Sequence, residues 1–101
     1  MHIDDLNNII FKSISYLKNK NKNLTVNCGT GKGTSVIDLI KNCPAQKLKI
    51  KVKEKIDGDP PGVISKIGLL KKELNYKPRY SSIKNIIKTS ISWEKYINQN
   101  K

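Results

Sequence analysis

Arginine is nearly absent from this 101-residue chain, although lysine is abundant. Of the 20 basic residues only Arg79 is an arginine, and with 8 acidic residues the formal net charge is +12. Phosphate and base recognition usually draws on the planar fork of arginine, and the lysines here are dispersed along the chain. Lysine, asparagine and isoleucine together make up 45 of the 101 residues. All three residues have A/T-rich codons, so this composition favours a surface whose lysines reflect codon bias over a binding site for a polyanion. A small basic nucleic-acid-binding module is the alternative.

Cysteine, histidine and long apolar runs are also scarce. Cys28, Cys43 and His2 are the whole supply of cysteine and histidine, and no C-x-x-C or H-x-x-x-H spacing exists, so we expect no zinc site. The start of the chain shows no secretory signal, which predicts two reduced thiols and a cytoplasmic protein. No apolar run approaches the roughly 20 residues of a membrane span, so we expect no membrane insertion.

Hydrophobic periodicity predicts a single α/β domain, with about four helices and two or three short strands. Two strands make a poor sheet by themselves, so the pattern suggests a piece that completes a larger body. The predicted elements are a helix over 4–19 with Asp4 as N-cap, a strand over 24–28, a helix capped by Thr34 or Ser35 and ending at Cys43-Pro44, a strand over 47–53, a loop over 57–62, a helix opened by Ser65 and closed after Leu74, and a helix capped by Ser81 or Ser82.

The sharpest local feature is the run Gly29-Thr30-Gly31-Lys32-Gly33-Thr34. It is neither a P-loop nor a dinucleotide fingerprint, because the glycines and the lysine stand at the wrong spacings. A tight structural turn is favoured over an anion site. Tyr-x-x-x-Lys occurs at Tyr16 and at Tyr80, but lysine is so frequent that chance explains both matches.

Four segments together resemble a known family. They are His2-Ile3 followed by Asp5-Leu6, then Asn27-Cys28-Gly29-Thr30-Gly31-Lys32-Gly33-Thr34-Ser35-Val36, then Gly58-Asp59, then Leu74-Asn75-Tyr76-Lys77-Pro78 before a helix with Trp93. In order and spacing the chain resembles the C-terminal, substrate-binding part of UDP-glucose 4-epimerase, an extended short-chain dehydrogenase/reductase. The resemblance implies that residues 1–101 form one substrate-binding-lobe-like domain without a Rossmann domain.

The resemblance implies binding without catalysis. Asp59 matches an aspartate that lies near the uridine ribose in the family, and Gly58 precedes it. Lys55 falls on the first of the family's two arginines, and Val63 falls where family members have a residue that borders the sugar pocket. Ile56 replaces the second arginine, which predicts weak or lost UDP-sugar binding. The family's catalytic tyrosine and lysine and its NAD-binding segment have no counterpart here, so no catalytic or cofactor-binding residue is assigned, and NAD is expected only for a full-length relative.

Three roles follow from that resemblance and from the charge. The first is an epimerase-like lobe that is inactive by itself. The second is half of a split nucleotide-sugar epimerase or dehydratase, complemented by a separate NAD-binding lobe. The third, disfavoured, is the basic nucleic-acid-binding module. Apolar surface left on the first helix predicts self-association when no second lobe covers it.

Overall fold

Four helices form the part of the chain that the computed structural model describes, which is residues 1–44, 49–54 and 56–100. They are α1 (Ile3–Lys20), α2 (Val36–Lys41), α3 (Gly68–Leu74) and α4 (Ile83–Gln99). No strand occurs within these ranges, so the predicted α/β class is wrong and the described fold is all-α. Among the same residues, no helix is both long and apolar enough to cross a membrane.

The two predicted strands fail for different reasons. In 24–28, Leu24 and Val26 are half-buried against the core while Thr25 and Asn27 are exposed, so the alternation of burial is present without a paired neighbour. In the second segment, 47–53, the first two residues lie outside the described ranges, and 49–53 are exposed on both faces. An alternating pattern can mark an extended segment, but a strand also needs a partner for its backbone hydrogen bonds.

Two of the helices do not begin with the predicted capping side chain. His2 rather than Asp4 caps α1, since its ring Nδ1 accepts a hydrogen bond from the Asp4 backbone N–H at 3.2 Å. Helix α3 begins at Gly68 with no side-chain cap. Ser65, which was predicted to open that helix, instead donates to the Cys28 carbonyl at 3.4 Å. Both predictions were therefore wrong by a few residues.

The other helix boundaries follow local side-chain chemistry. Ser35 accepts from the Asp38 N–H and caps α2, and Ser82 accepts from the Asn85 N–H and caps α4. Helices α1 and α3 end at Asn21 and Asn75, which adopt the left-handed backbone conformation at φ 47° and 45°. Asparagine tolerates this conformation better than most residues, so it stops a helix much as glycine does.

A small core lies between α1 and α3. Ile9 of α1 packs with the apolar residues of α3 and its flanks, and Tyr16, Leu24 and Val26 cover the cluster from outside. The buried members are Ile9, Ile67, Leu70, Leu74 and Tyr76. Several residues of the predicted apolar face of α1, including Ile10, Ile14 and Leu17, are about half exposed. The core is therefore narrower than the periodicity of that helix predicted.

A buried carboxylate ties α1 to the segment before α4. Asp5 accepts hydrogen bonds from the backbone N–H groups of Arg79 and Tyr80, at 2.9 and 3.0 Å, and from the Ser81 hydroxyl. Ser81 in turn accepts from the His2 N–H at 2.8 Å. A fully buried charge is tolerated when it is hydrogen-bonded in this way, so Asp5 fixes where the last helix begins.

Candidate functional site

The residues predicted to meet a nucleotide sugar lie along an exposed segment. Gly58 adopts φ +93°, and the Asp59 N–H donates to the Ile56 carbonyl at 3.2 Å, so a tight turn presents the Asp59 side chain. Val63 follows the turn and is 82% exposed. Lys55 lies outside the described residues. The described part of the chain therefore offers Gly58, Asp59 and Val63 on an open surface.

The turn offers a hydrogen-bond acceptor for a ligand at Asp59 but no cationic donor at Ile56. The Asp59 carboxylate is exposed, and such a group can accept hydrogen bonds from two neighbouring hydroxyls, as on a ribose ring. Ile56, where the resemblance expects an arginine, is 69% exposed and offers no donor. A diphosphate needs cationic donors, and neither the Ile56 nor the Asp59 side chain supplies one.

The glycine run packs tightly against the segment that leads into α3. A Cβ placed on Gly29 would lie 2.8 Å from Ser65 Cβ, one on Gly31 would lie 2.9 Å from Ile67, and one on Gly33 would lie 2.9 Å from Ile64. Gly31 also has φ +72°. The glycines are thus needed for close packing, in agreement with the structural interpretation of this turn.

Two cationic clefts flank that turn. One, of about 560 Å³, is lined by Lys32, Lys66 and Lys71 together with apolar and hydroxyl groups. The other, of about 380 Å³, is lined by Lys32 and Arg79 with several hydroxyls. Among the residues that the structure describes, no carboxylate lines either cleft. Sequence reasoning assigned no role to Lys66 or Lys71, because nothing in the sequence distinguishes them from the other dispersed lysines, and it noted Arg79 only as the single arginine.

The two Tyr-x-x-x-Lys matches occupy different settings. Tyr16 and Lys20 both belong to α1 and line one cleft of about 370 Å³ beside the end of α3. Tyr80 precedes α4, and its backbone N–H is bound to Asp5. Tyr80 and Lys84 therefore do not share a helix, and the spacing that would place a lysine one turn from a tyrosine is lost there.

Burial and hydrogen bonding shift the pKa of three groups. Burial raises the pKa of Asp5, but the hydrogen bonds from Ser81, Arg79 and Tyr80 together outweigh it and hold that pKa below its usual value. The hydrogen bond from Ser35 lowers the pKa of Asp38. Burial, with the nearby charge of Asp5 second, raises the pKa of Tyr76. Asp5 and Tyr76 belong to the packed interior, so these shifts concern stability.

Thiols and metal-binding side chains are dispersed. Cys28 is exposed and Cys43 half-buried, and both are free. Within the described ranges, no three residues of the histidine, cysteine, aspartate and glutamate types come together in a way that would hold a metal ion.

Comparison with known proteins finds epimerases. The chain is 22% identical over 102 residues to a UDP-glucose 4-epimerase of Azospirillum brasilense, covering 98% of this chain and 29% of the relative. It is 25% identical over 98 residues to a UDP-glucose 4-epimerase of Halalkalibacterium halodurans, covering 94% and 29%. It is 32% identical over 72 residues to UDP-arabinose 4-epimerase 1 of Arabidopsis thaliana, covering 68% and 17%. No family model and no solved structure matches.

The predicted resemblance to UDP-glucose 4-epimerases is thereby confirmed over nearly the whole chain. The chain spans less than a third of the length of these relatives. Whatever the whole relatives do, this chain corresponds to a part of them.

Proposed function

We propose that this chain contributes a nucleotide-sugar-binding surface of the UDP-glucose 4-epimerase type and that it is catalytically incomplete by itself. The observation that carries the proposal is the resemblance over 98% of this chain and only 29% of a UDP-glucose 4-epimerase. The turn at Gly58 and Asp59 supports it, because it presents a carboxylate suited to sugar hydroxyls. Lys55 would add a point charge near the diphosphate, and Val63 would border the sugar.

The proposed incompleteness concerns the redox and proton-transfer steps. Epimerases of this type use NAD, but the glycine run at 29–34 does not have the glycine spacing of a dinucleotide-binding fingerprint. That turn does not fit the cofactor, so no catalytic step is assigned to this chain. The proposal is that a separate NAD-binding lobe supplies the chemistry, and that this chain supplies contacts to the UDP-sugar.

A titration with UDP-glucose, followed by NMR of the labelled chain, tests the binding half of the proposal. We expect chemical-shift changes confined to the segment around 56–64. Asp59→Asn should weaken the affinity for UDP-glucose several-fold, because a neutral amide accepts hydrogen bonds from hydroxyls less strongly than a carboxylate does. Asp57→Asn is the matched control, since it removes the same charge two positions away. No change at millimolar UDP-glucose, or equal loss in both variants, would overturn the assignment of Asp59.

An activity assay tests the other half. The chain alone should not interconvert UDP-glucose and UDP-galactose, and activity should appear when a separately expressed NAD-binding lobe is added. Interconversion by the chain alone would contradict the proposed incompleteness. Binding to DNA or RNA that falls steeply with salt, without UDP-sugar binding, would favour the basic nucleic-acid-binding module instead.

A further inference from the structure

The cleft between the glycine run and the start of α4 combines positive charge with hydroxyl groups. It measures about 380 Å³, which lies within the range of about 300–1,000 Å³ that holds small ligands. Its polar lining consists of two cations and four hydroxyl-bearing side chains, which are Lys32, Arg79, Thr30, Thr34, Ser81 and Ser82. In the part of the chain that the structure describes, no aspartate or glutamate lines it. We call it the Arg79 cleft.

Neither cation of the Arg79 cleft is neutralised by a carboxylate. Across the described residues the single ion pair joins His2 to Asp4 at 3.5 Å, so Lys32 and Arg79 have no acidic partner there. Arg79 is also the one arginine among 20 basic residues. Its planar fork can donate two parallel hydrogen bonds to a phosphate, which a lysine cannot do. The cleft therefore holds the best phosphate-binding side chain of the molecule beside a second positive charge.

Hydrogen bonds to the backbone hold both walls of the cleft in place. On one side, the buried Asp5 carboxylate accepts from the Arg79 backbone N–H at 2.9 Å and from the Ser81 hydroxyl. On the other, Thr30 Oγ1 accepts from the Lys32 N–H at 3.3 Å and donates to the Lys32 carbonyl at 3.1 Å. These contacts use the backbone of Arg79 and Lys32, so the fold does not occupy their charged groups. A site whose walls are already fixed loses less entropy when a ligand binds.

The hydroxyl groups of the cleft complete a lining made of hydrogen-bond donors. The Ser82 hydroxyl accepts from the Asn85 N–H at 3.3 Å as the cap of α4, so its own O–H remains a donor to a ligand. Thr34 adds a further hydroxyl. The oxygens of a dianionic phosphate only accept hydrogen bonds, so a lining of ammonium, guanidinium and hydroxyl donors matches them.

The neighbouring cleft raises the positive potential at the same place. It measures about 560 Å³, shares Thr30 and Lys32 with the Arg79 cleft, and adds Lys66 and Lys71. Four cations thus gather around one turn of the chain. A concave surface lined by charges of one sign concentrates ligands of the opposite sign, so an anion is drawn to this turn.

We infer that the Arg79 cleft binds a phosphate group, with the Arg79 guanidinium and the Lys32 ammonium on its terminal oxygens and the Ser82 hydroxyl as a further donor. The group is carried by inorganic phosphate or by the phosphate monoester of a small metabolite, since both present at least three terminal oxygens. Side chains hold it, and the glycine run keeps its structural role. The inference does not depend on sugar binding at Asp59, because neither Gly58 nor Asp59 lines this cleft.

An NMR titration of the labelled 101-residue chain tests the inference, with inorganic phosphate and with glucose 6-phosphate at constant ionic strength. We expect chemical-shift changes at residues 30–34 and 79–83, which line the cleft. The changes expected from UDP-glucose fall in the segment around 56–64 instead. Failure of either proposal is therefore visible separately in the same spectra.

Substitutions at the two cations test which side chains hold the phosphate. Arg79→Gln and Lys32→Gln should each weaken binding about ten-fold, and Arg79→Lys should weaken it less than Arg79→Gln, because it keeps the charge but loses the fork. Lys77→Gln is the matched control, since it removes the same charge from an exposed side chain that lines neither cleft. It should change the affinity by about two-fold at most. Asp5 binds the backbone of Arg79 rather than its side chain, so we expect these variants to fold, and circular dichroism checks this.

The two anions distinguish the sources of the phosphate group. A response to inorganic phosphate alone would identify the free ion as the ligand, and a stronger response to glucose 6-phosphate would identify an ester. The absence of shifts at 30–34 and 79–83 with both anions at about 10 mM, well above the dissociation constant of a weak site of about 1 mM, would overturn the inference. An equal loss of affinity in Lys77→Gln would also overturn it, because net charge rather than the cleft would then attract the anion.

Discussion

Asp5 and Ser81 are joined by a 2.5 Å hydrogen bond across 76 positions of sequence. Asp5 stands in the first of the segments that carry the epimerase resemblance, and Ser81 follows the last of them, Leu74-Asn75-Tyr76-Lys77-Pro78. The glycine run, another of those segments, packs on the approach to α3. Much of the resemblance is thus carried by residues that hold the chain together, and the proposed nucleotide-sugar contacts are left to the turn at Gly58 and Asp59.

Replacement of Asp5 by asparagine should destabilise the chain. One of the amide's two ends can only donate, so at least one of the three donors from Arg79, Tyr80 and Ser81 loses its acceptor in a buried site. We expect a loss of about 2–3 kcal/mol in the free energy of unfolding, measured by urea denaturation. Asp4→Asn is the matched control, because the Asp4 side chain is 55% exposed and its replacement should cost little.

The same carboxylate should make stability depend on pH. The folded state lowers the pKa of Asp5, so its contribution is complete above the unfolded value of about 3.9 and is lost as the pH falls through the lower, folded value. The wild type should therefore lose stability below about pH 4, and Asp5→Asn should lose less over the same range. Parallel acid-unfolding curves for the two proteins would contradict this role.

Gly31→Ala should destabilise the chain, and Gly62→Ala should not. At Gly31 the backbone has φ +72° and a new Cβ would lie 2.9 Å from Ile67, whereas at Gly62 no atom lies within 4 Å. We expect a cost of about 1–3 kcal/mol at the first site and a change within about 0.5 kcal/mol at the second. Thermal melts of both variants measure these changes in stability. Equal stability would show that the glycine run is not packed in this way.

Ile56→Arg should strengthen binding of UDP if the turn is a nucleotide site. An arginine fork binds a diphosphate with paired, charge-assisted hydrogen bonds, and Ile56 is exposed next to the turn that presents Asp59. We expect an affinity gain of about ten-fold by calorimetry. Ile50→Arg adds the same charge at another exposed isoleucine. A similar gain in both would mean that general charge, rather than this turn, attracts the nucleotide.

The four helices and several of their ends could be predicted from the sequence. Periodic apolar residues predicted four helices, and Ser35 and Ser82 were among the caps foreseen, because capping acts within a few residues and is readable locally. The resemblance to epimerases was also readable, since it depends on the order and spacing of short segments. Asp59 and Gly58 are presented by the local turn that the sequence predicted as a loop.

Which apolar patterns are buried and which side chains are in contact could not be predicted from the sequence. Residues 24–28 alternate as a strand would, but a sheet requires a second segment, and none pairs with them among the described residues. The sequence places Asp5 in a motif but indicates no further role for it, because that role depends on donors more than seventy residues away. Burial and hydrogen bonding between distant segments depend on how the chain closes in space, which the pattern along one helix does not specify.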